Sequence, residues 1–131
     1  MRGICKVLIV VALVFLINGV ADAELYSGQN LAEDWKAYKI MAQPNPLKSP
    51  RLIQGMAHYT GYVAGVIDSY YDLLFFSPET TAKQLIEAVG EYLDAHPEEW
   101  HEPAVNLVLR ALRERMSRED WEKKKKKYDA Y

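Results

Sequence analysis

Apolar side chains recur three and four positions apart through most of residues 27–116, and no stretch alternates with the period of two that a half-buried strand requires. The spacing predicts four helices. The first opens near Ser27 and runs to about Ala42, with Leu31, Trp35, Tyr38 and Ala42 on one face. Pro44, Pro46 and Pro50 then impose a loop. Ser49-Pro50 is a start signal, an N-cap followed by proline at the first helical position. The second helix is expected from Pro50 to about Phe75, with Leu52, Met56, Tyr59, Val63, Val66 and Tyr70 as its stripe. Ser77-Pro78 closes it. Thr81 to Gln84 matches a capping box and opens a third helix with Leu85, Ile86, Val89 and Leu93 inward. His96-Pro97 stops that helix. A short connector, Glu98-Glu99-Trp100-His101-Glu102, leads to Pro103 in the first turn of the last helix, whose stripe is Val105, Val108, Leu109 and Leu112. The pattern fades beyond Met116. Glu119 with Lys123, Asp120 with Lys124 and Glu122 with Lys126 stand four apart in the favourable order and would carry the helix into the tail. The predicted fold class is all-α, a compact bundle of four main helices.

The first 23 residues follow a different pattern. Arg2 and Lys6 precede an apolar run from Val7 to Ile17, and Ala21-Asp22-Ala23 supplies the small residues of a cleavage site. The uncharged stretch is shorter than the roughly 20 residues of a membrane-spanning helix. Residues 1–23 therefore read as a cleavable signal peptide and the destination as the periplasm; the other reading is a retained N-terminal anchor. Cys5 lies before most of the apolar run and is not placed as a lipid acceptor. Residues 24–118 form the expected helical domain and residues 119–131 a basic tail or helix extension.

Cleavage leaves 108 residues with 14 basic and 17 acidic side chains and no cysteine. Small exported domains often rely on disulfides, and this one must hold together by apolar burial alone. Thiol nucleophiles and cysteine metal sites are excluded with them. Charge is divided: residues 24–109 carry net −7 and residues 110–131 net +4. An acidic body offers nothing to nucleic acid. The Lys123–Lys127 run reads as a solvated end, and membrane contact through it is not expected.

Few residues suggest chemistry. The chain lacks a nucleophile elbow, a zinc-binding helix motif and a phosphate-cradling glycine loop, so neither enzyme activity nor a cofactor is expected. His96 and His101 flank carboxylates across a proline and do not share a helical face, which argues against a metal role. Asp68 and Asp72 lie four apart among tyrosines and read as a polar helix edge. Ala57, Gly61, Gly65 and Ser69 form a line of small residues beside the second helix's apolar stripe. Glycine inside a helix costs about 0.5–1 kcal/mol relative to alanine. Gly61 and Gly65 are therefore expected to mark close packing against a neighbouring helix of the same chain, with a partner-docking groove as the other reading. Trp100, among acids in a connector, either anchors a protein partner or tucks over the bundle end.

Four segments carry a resemblance. They are Gly61-Tyr62-Val63-Ala64-Gly65-Val66-Ile67-Asp68; Pro78-Glu79 with Thr81 and Gln84-Leu85; Glu91-Tyr92-Leu93-Asp94-Ala95-His96-Pro97-Glu98; and Pro103-Ala104 with Leu107-Val108 and Ala111-Leu112. In this order and spacing, from about Ser27 to Met116, the chain resembles the exported Tai/Rap family of type VI amidase immunity and resistance-associated proteins. The resemblance implies a small helical periplasmic protein, often dimeric, that blocks a cell-wall amidase and is not an enzyme. Family members usually carry cysteines before the Gly-Tyr step, before the Pro-Glu step and near both domain ends. Trp35, Tyr59 and Phe76 stand at about those places here.

The expected function is neutralisation of a type VI amidase effector by occlusion of its active-site groove. The expected partners are that amidase and a second copy of the chain. Glu98, Glu99, Trp100, His101 and Glu102 are the expected contact residues, because connectors on rigid scaffolds commonly carry function. The rival reading is a periplasmic acid-stress chaperone, motivated by the acidic body.

Overall fold

A computed structural model describes residues 25–74 and 76–116. The expected signal peptide and the lysine-rich tail lie outside the described residues. Four helices run in the expected order: α1 Gly28–Met41, α2 Pro50–Ser69, α3 Ala82–Ala95 and α4 Ala104–Glu114. One-turn 3-10 helices occupy Tyr71–Leu73 and Pro97–Glu99. Among the described residues there is no strand, and no helix is long and apolar enough to cross a membrane.

The local signals act as the sequence predicts. Ser27 caps α1 by accepting from the Asn30 amide, and Ser49 caps α2 by accepting from the Leu52 amide. At Thr81 both halves of the capping box form: its hydroxyl accepts from the Gln84 amide, and the Gln84 side chain accepts from the Thr81 amide. Asn45, at φ 57°, turns the chain between Pro44 and Pro46 in a conformation that asparagine tolerates. α2 stops earlier than expected. Its last regular residue is Ser69, and Tyr70 at ψ 16° leads into the 3-10 turn. That change of direction delivers Leu74 to the core, where it is 7% exposed.

α1 and α2 pair antiparallel, with Tyr26 against Tyr62, Trp35 against Tyr59 and Ala37 against Gly55. α3 and α4 form the second contacting pair. Leu31, Tyr59, Val63, Val89, Leu93, Leu107, Val108 and Leu112 meet between the pairs with essentially no solvent contact. Each large aliphatic residue in such a core contributes about 2–5 kcal/mol against truncation to alanine. Tyr59 is fully buried, yet its polar atom is satisfied: the hydroxyl donates to the Ile86 carbonyl at 2.7 Å, joining α2 to α3. Burial pushes its ionisation far above the usual tyrosine range.

The close-packed glycines are not the expected ones. Nothing among the described residues lies within 4 Å of a Cβ built on Gly61 or Gly65. Both are exposed, so the expectation that a neighbouring helix of this chain packs on them is corrected. The apolar stripe of α2 faces the core, and the glycine line falls on the opposite edge. Close approach occurs elsewhere. A Cβ on Gly55 would lie 2.7 Å from that of Ala37, and one on Gly90 would overlap the Trp35 ring.

Candidate functional site

The connector between α3 and α4 is bound on three sides. Its backbone docks on the first turn of α1, where four amides lack helical partners. The Gly28 amide donates to the Glu102 carbonyl and the Gln29 amide to the Trp100 carbonyl, both at 2.8 Å. In return the Ala104 amide donates to the Tyr26 carbonyl at 2.9 Å, and Ser27 and Pro103 form an isolated antiparallel bridge. Gly28 makes this possible. A Cβ there would meet the Trp100 Cα and carbonyl oxygen at 2.9 Å and the Leu107 methyl at 2.5 Å.

Trp100 supplies the second attachment. It is half-buried against the core, and its indole N–H donates to the Leu93 carbonyl at 2.9 Å. Lys36 lies 5.4 Å from the ring centroid. Of the two readings offered by the sequence, the side chain tucks over the bundle end.

The third attachment is ionic. The Arg110 guanidinium donates to the Glu99 carboxylate at 2.8 Å and forks onto both oxygens of Glu102 at 2.9 and 2.7 Å. Tyr92 donates to the same Glu99 oxygen at 2.9 Å. The bonds from Tyr92 and Arg110 hold the Glu99 carboxyl below its usual range, and the Arg110 fork does the same for Glu102. The two carboxylates raise Arg110 in turn. His96 stacks on Tyr92 with ring centroids 4.0 Å apart and donates from Nδ1 to the Tyr92 carbonyl.

The five expected contact residues therefore divide. Glu99 and Glu102 are engaged by Arg110, and Trp100 faces the core. Glu98 and His101 are exposed. His101 Nδ1 sits 2.8 Å from the Glu98 carbonyl, so that nitrogen carries the hydrogen and donates. Arg110 was missed by sequence reasoning. Its only signal was a cation eight and eleven positions from two glutamates, which spacing alone does not pair.

A second polar cluster lies on the seam of α1 and α2. Asp34 accepts from the Tyr26 hydroxyl and, through the same oxygen, from His58 Nδ1 at 2.8 Å. The Tyr26 ring packs edge-on against His58 at 4.9 Å and tilted against Tyr62 at 4.6 Å. Burial, then the bond to Asp34, pushes Tyr26 well above the usual tyrosine range. Asp68 and Asp72 are both exposed and form no cluster with this site. Among the described residues no three His, Cys, Asp or Glu side chains gather to hold a metal ion.

The positions at which the resemblance places cysteines also have a geometry. Trp35 and Tyr59 are in ring contact in the core, centroids 5.2 Å apart, and Phe76 packs on the same core half-buried. Aromatic packing fills the space there.

No curated protein and no solved structure matches the chain significantly. A family model described as Rap1a immunity proteins matches residues 27–116, which is α1 to α4 from the α1 cap to the last described residue. The match spans the whole four-helix core together with the clamped connector, and the chain belongs to the Rap1a immunity protein family.

Proposed function

We propose that this protein is an exported immunity protein that binds a cell-wall amidase effector of type VI secretion and blocks its active-site groove, without chemistry of its own. Family membership over residues 27–116 carries the immunity reading. The signal-like first 23 residues support a periplasmic site of action, where such an effector would reach peptidoglycan. The connector Glu98–Glu102 supports the binding mode. It is a short turn fixed to α1, α3 and α4, so little order is lost when a partner meets it. A stable interface needs about 800 Å² from each partner, more than one turn supplies, so flanking helix ends would join the contact.

The test uses protein recovered from the periplasm after expression of the full-length chain. Purified type VI peptidoglycan amidases, including any encoded beside the gene, are assayed for peptidoglycan cleavage with and without it. The expected result is stoichiometric inhibition of at least one amidase and a complex that co-elutes on gel filtration. Full activity of every amidase at saturating protein would reject the reading.

A further inference from the structure

We infer that Arg110 is a positioning residue for recognition: it holds the connector so that Glu98 and His101 are the groups offered to the partner, and the surface they fit is rich in hydrogen-bond donors. This rests on the connector being the docking element. Three acids lie in the connector, but they are not equivalent. Arg110 takes both oxygens of Glu102 and one of Glu99, and Tyr92 shares that Glu99 oxygen. Those two side chains are about one quarter exposed, and their charge is answered within the chain. Glu98 has no ion-pair partner among the described residues.

His101 completes the surface. Donation from Nδ1 to the Glu98 carbonyl leaves Nε2 of the neutral ring as an acceptor on an exposed side chain. The Glu98 carboxylate of the same connector is also exposed, and when ionised it accepts only. A lysine, an arginine or exposed backbone amides are the complementary chemistry. Arg110 contacts neither group. Its fork fixes the residue that directly follows each of them, 99 after 98 and 102 after 101, and a planar bidentate group does this in a way that a point charge cannot.

The experiment is a double-mutant cycle on inhibition of the amidase identified above. Arg110→Met, the pair Glu98→Gln with His101→Ala, and the triple variant are compared with the parent. Arg115→Met serves as control, because Arg115, just past the end of α4, pairs with Glu91 of α3 and not with the connector. Arg110→Lys is the conservative variant and stands in if Arg110→Met does not fold. Arg110→Met is expected to weaken inhibition about tenfold and the outward pair by a similar factor. The triple variant should be little worse than either, since displaced groups have nothing left to lose. Arg110→Lys should recover part of the loss, and Arg115→Met should inhibit like the parent. Amide exchange at Glu99–Glu102 should speed up in Arg110→Met and not in Arg115→Met. Additive losses, an Arg115→Met effect as large as that of Arg110→Met, or parental inhibition by Arg110→Met would overturn the inference while leaving the amidase reading intact. Failure of the parent itself to inhibit would remove both.

Discussion

The Trp35 indole occupies the space in which a side chain at Gly90 would begin. α1 and α3 meet there with one aromatic face laid on bare helix backbone. The Trp35 N–H donates to Asp94 at 3.0 Å one turn further along α3, and Lys39 pairs with the same carboxylate at 2.8 Å. A methyl group at position 90 cannot be absorbed without moving the ring. Gly90→Ala should therefore destabilise the domain by about 1–3 kcal/mol, against the usual gain from replacing a helical glycine. A thermal melt checks this, with near-ultraviolet dichroism reporting displacement of Trp35. An unchanged melting temperature would contradict the packing described.

The opposite sign is expected at Gly61 and Gly65. Both are helical and exposed, with open space above them among the described residues. Alanine there should stabilise by about 0.5–1 kcal/mol each, through backbone entropy alone. Gly65→Leu should melt close to the parent when the protein is dilute. Sedimentation of the same variant tests whether two copies use this face. Loss of a dimer without loss of melting temperature would assign the glycines to association, whereas a lowered melting temperature at every concentration would restore the packing role that the structure removes.

Tyr59→Phe isolates the bond between α2 and α3. The ring remains buried and the Ile86 carbonyl loses its added donor, so a cost of about 0.5–1.5 kcal/mol is expected in urea unfolding with an unchanged slope. Because burial raises this hydroxyl above its ordinary value of 10.0, the folded state holds the proton more tightly than the unfolded chain. Its contribution is complete below about pH 10 and declines as the pH rises further. Stability should fall above pH 10 in the parent and less steeply in Tyr59→Phe. Equal alkaline slopes would show that another group dominates.

The acid limb has the reverse sign. Tyr92 and Arg110 depress Glu99, and Arg110 depresses Glu102. At Asp94 partial desolvation acts upward, but the Lys39 ammonium and the Trp35 N–H outweigh it and the net shift is downward. A carboxylate with a lowered folded-state pKa contributes fully above its unfolded value and loses that contribution as the pH falls through the folded one. Melting temperature should hold at neutral pH and drop below about pH 4.5. Combining Glu99→Gln and Glu102→Gln should flatten that drop and lower the neutral plateau. A melting temperature that stays level from neutrality to pH 3 would refute the assignment.

Much of the fold was legible because its signals are local. The serine caps, the Thr81–Gln84 box and His96-Pro97 each act within four residues, and the boundaries they predict are those observed. The end of α2 was misread for a corresponding reason. Tyr70 and Leu74 continue the helical period, and only the core, assembled from distant segments, dictates that the chain turn after Ser69. Leu107 is wholly buried although the stripe read from the sequence does not contain it, whereas Val105 and Leu109 of that stripe are only partly buried at its edges. Glycines show the limit most clearly. Gly61 and Gly90 look alike along the chain, and the ring that separates them belongs to Trp35, far away in sequence. The connector draws attention in the sequence by its polar composition and its place between two helices. Which of its side chains turn inward depended on Arg110 and Leu93, which spacing does not reveal.

The backbone that opens α1 is hydrogen-bonded to the backbone that opens α4. This has a kinetic consequence. Tyr26 and Ala104 come from opposite ends of the domain, so joining them closes a loop that contains nearly all of it, and contacts of such high order form slowly. A chain appearing from its N-terminus has α1 early, yet the amides of Gly28 and Gln29 wait for carbonyls that arrive only with the last connector. Until then the first helix lacks its lid and the core lacks Leu107, Val108 and Leu112. The native packing of α1 is thus expected to be complete only once the last connector and α4 are present.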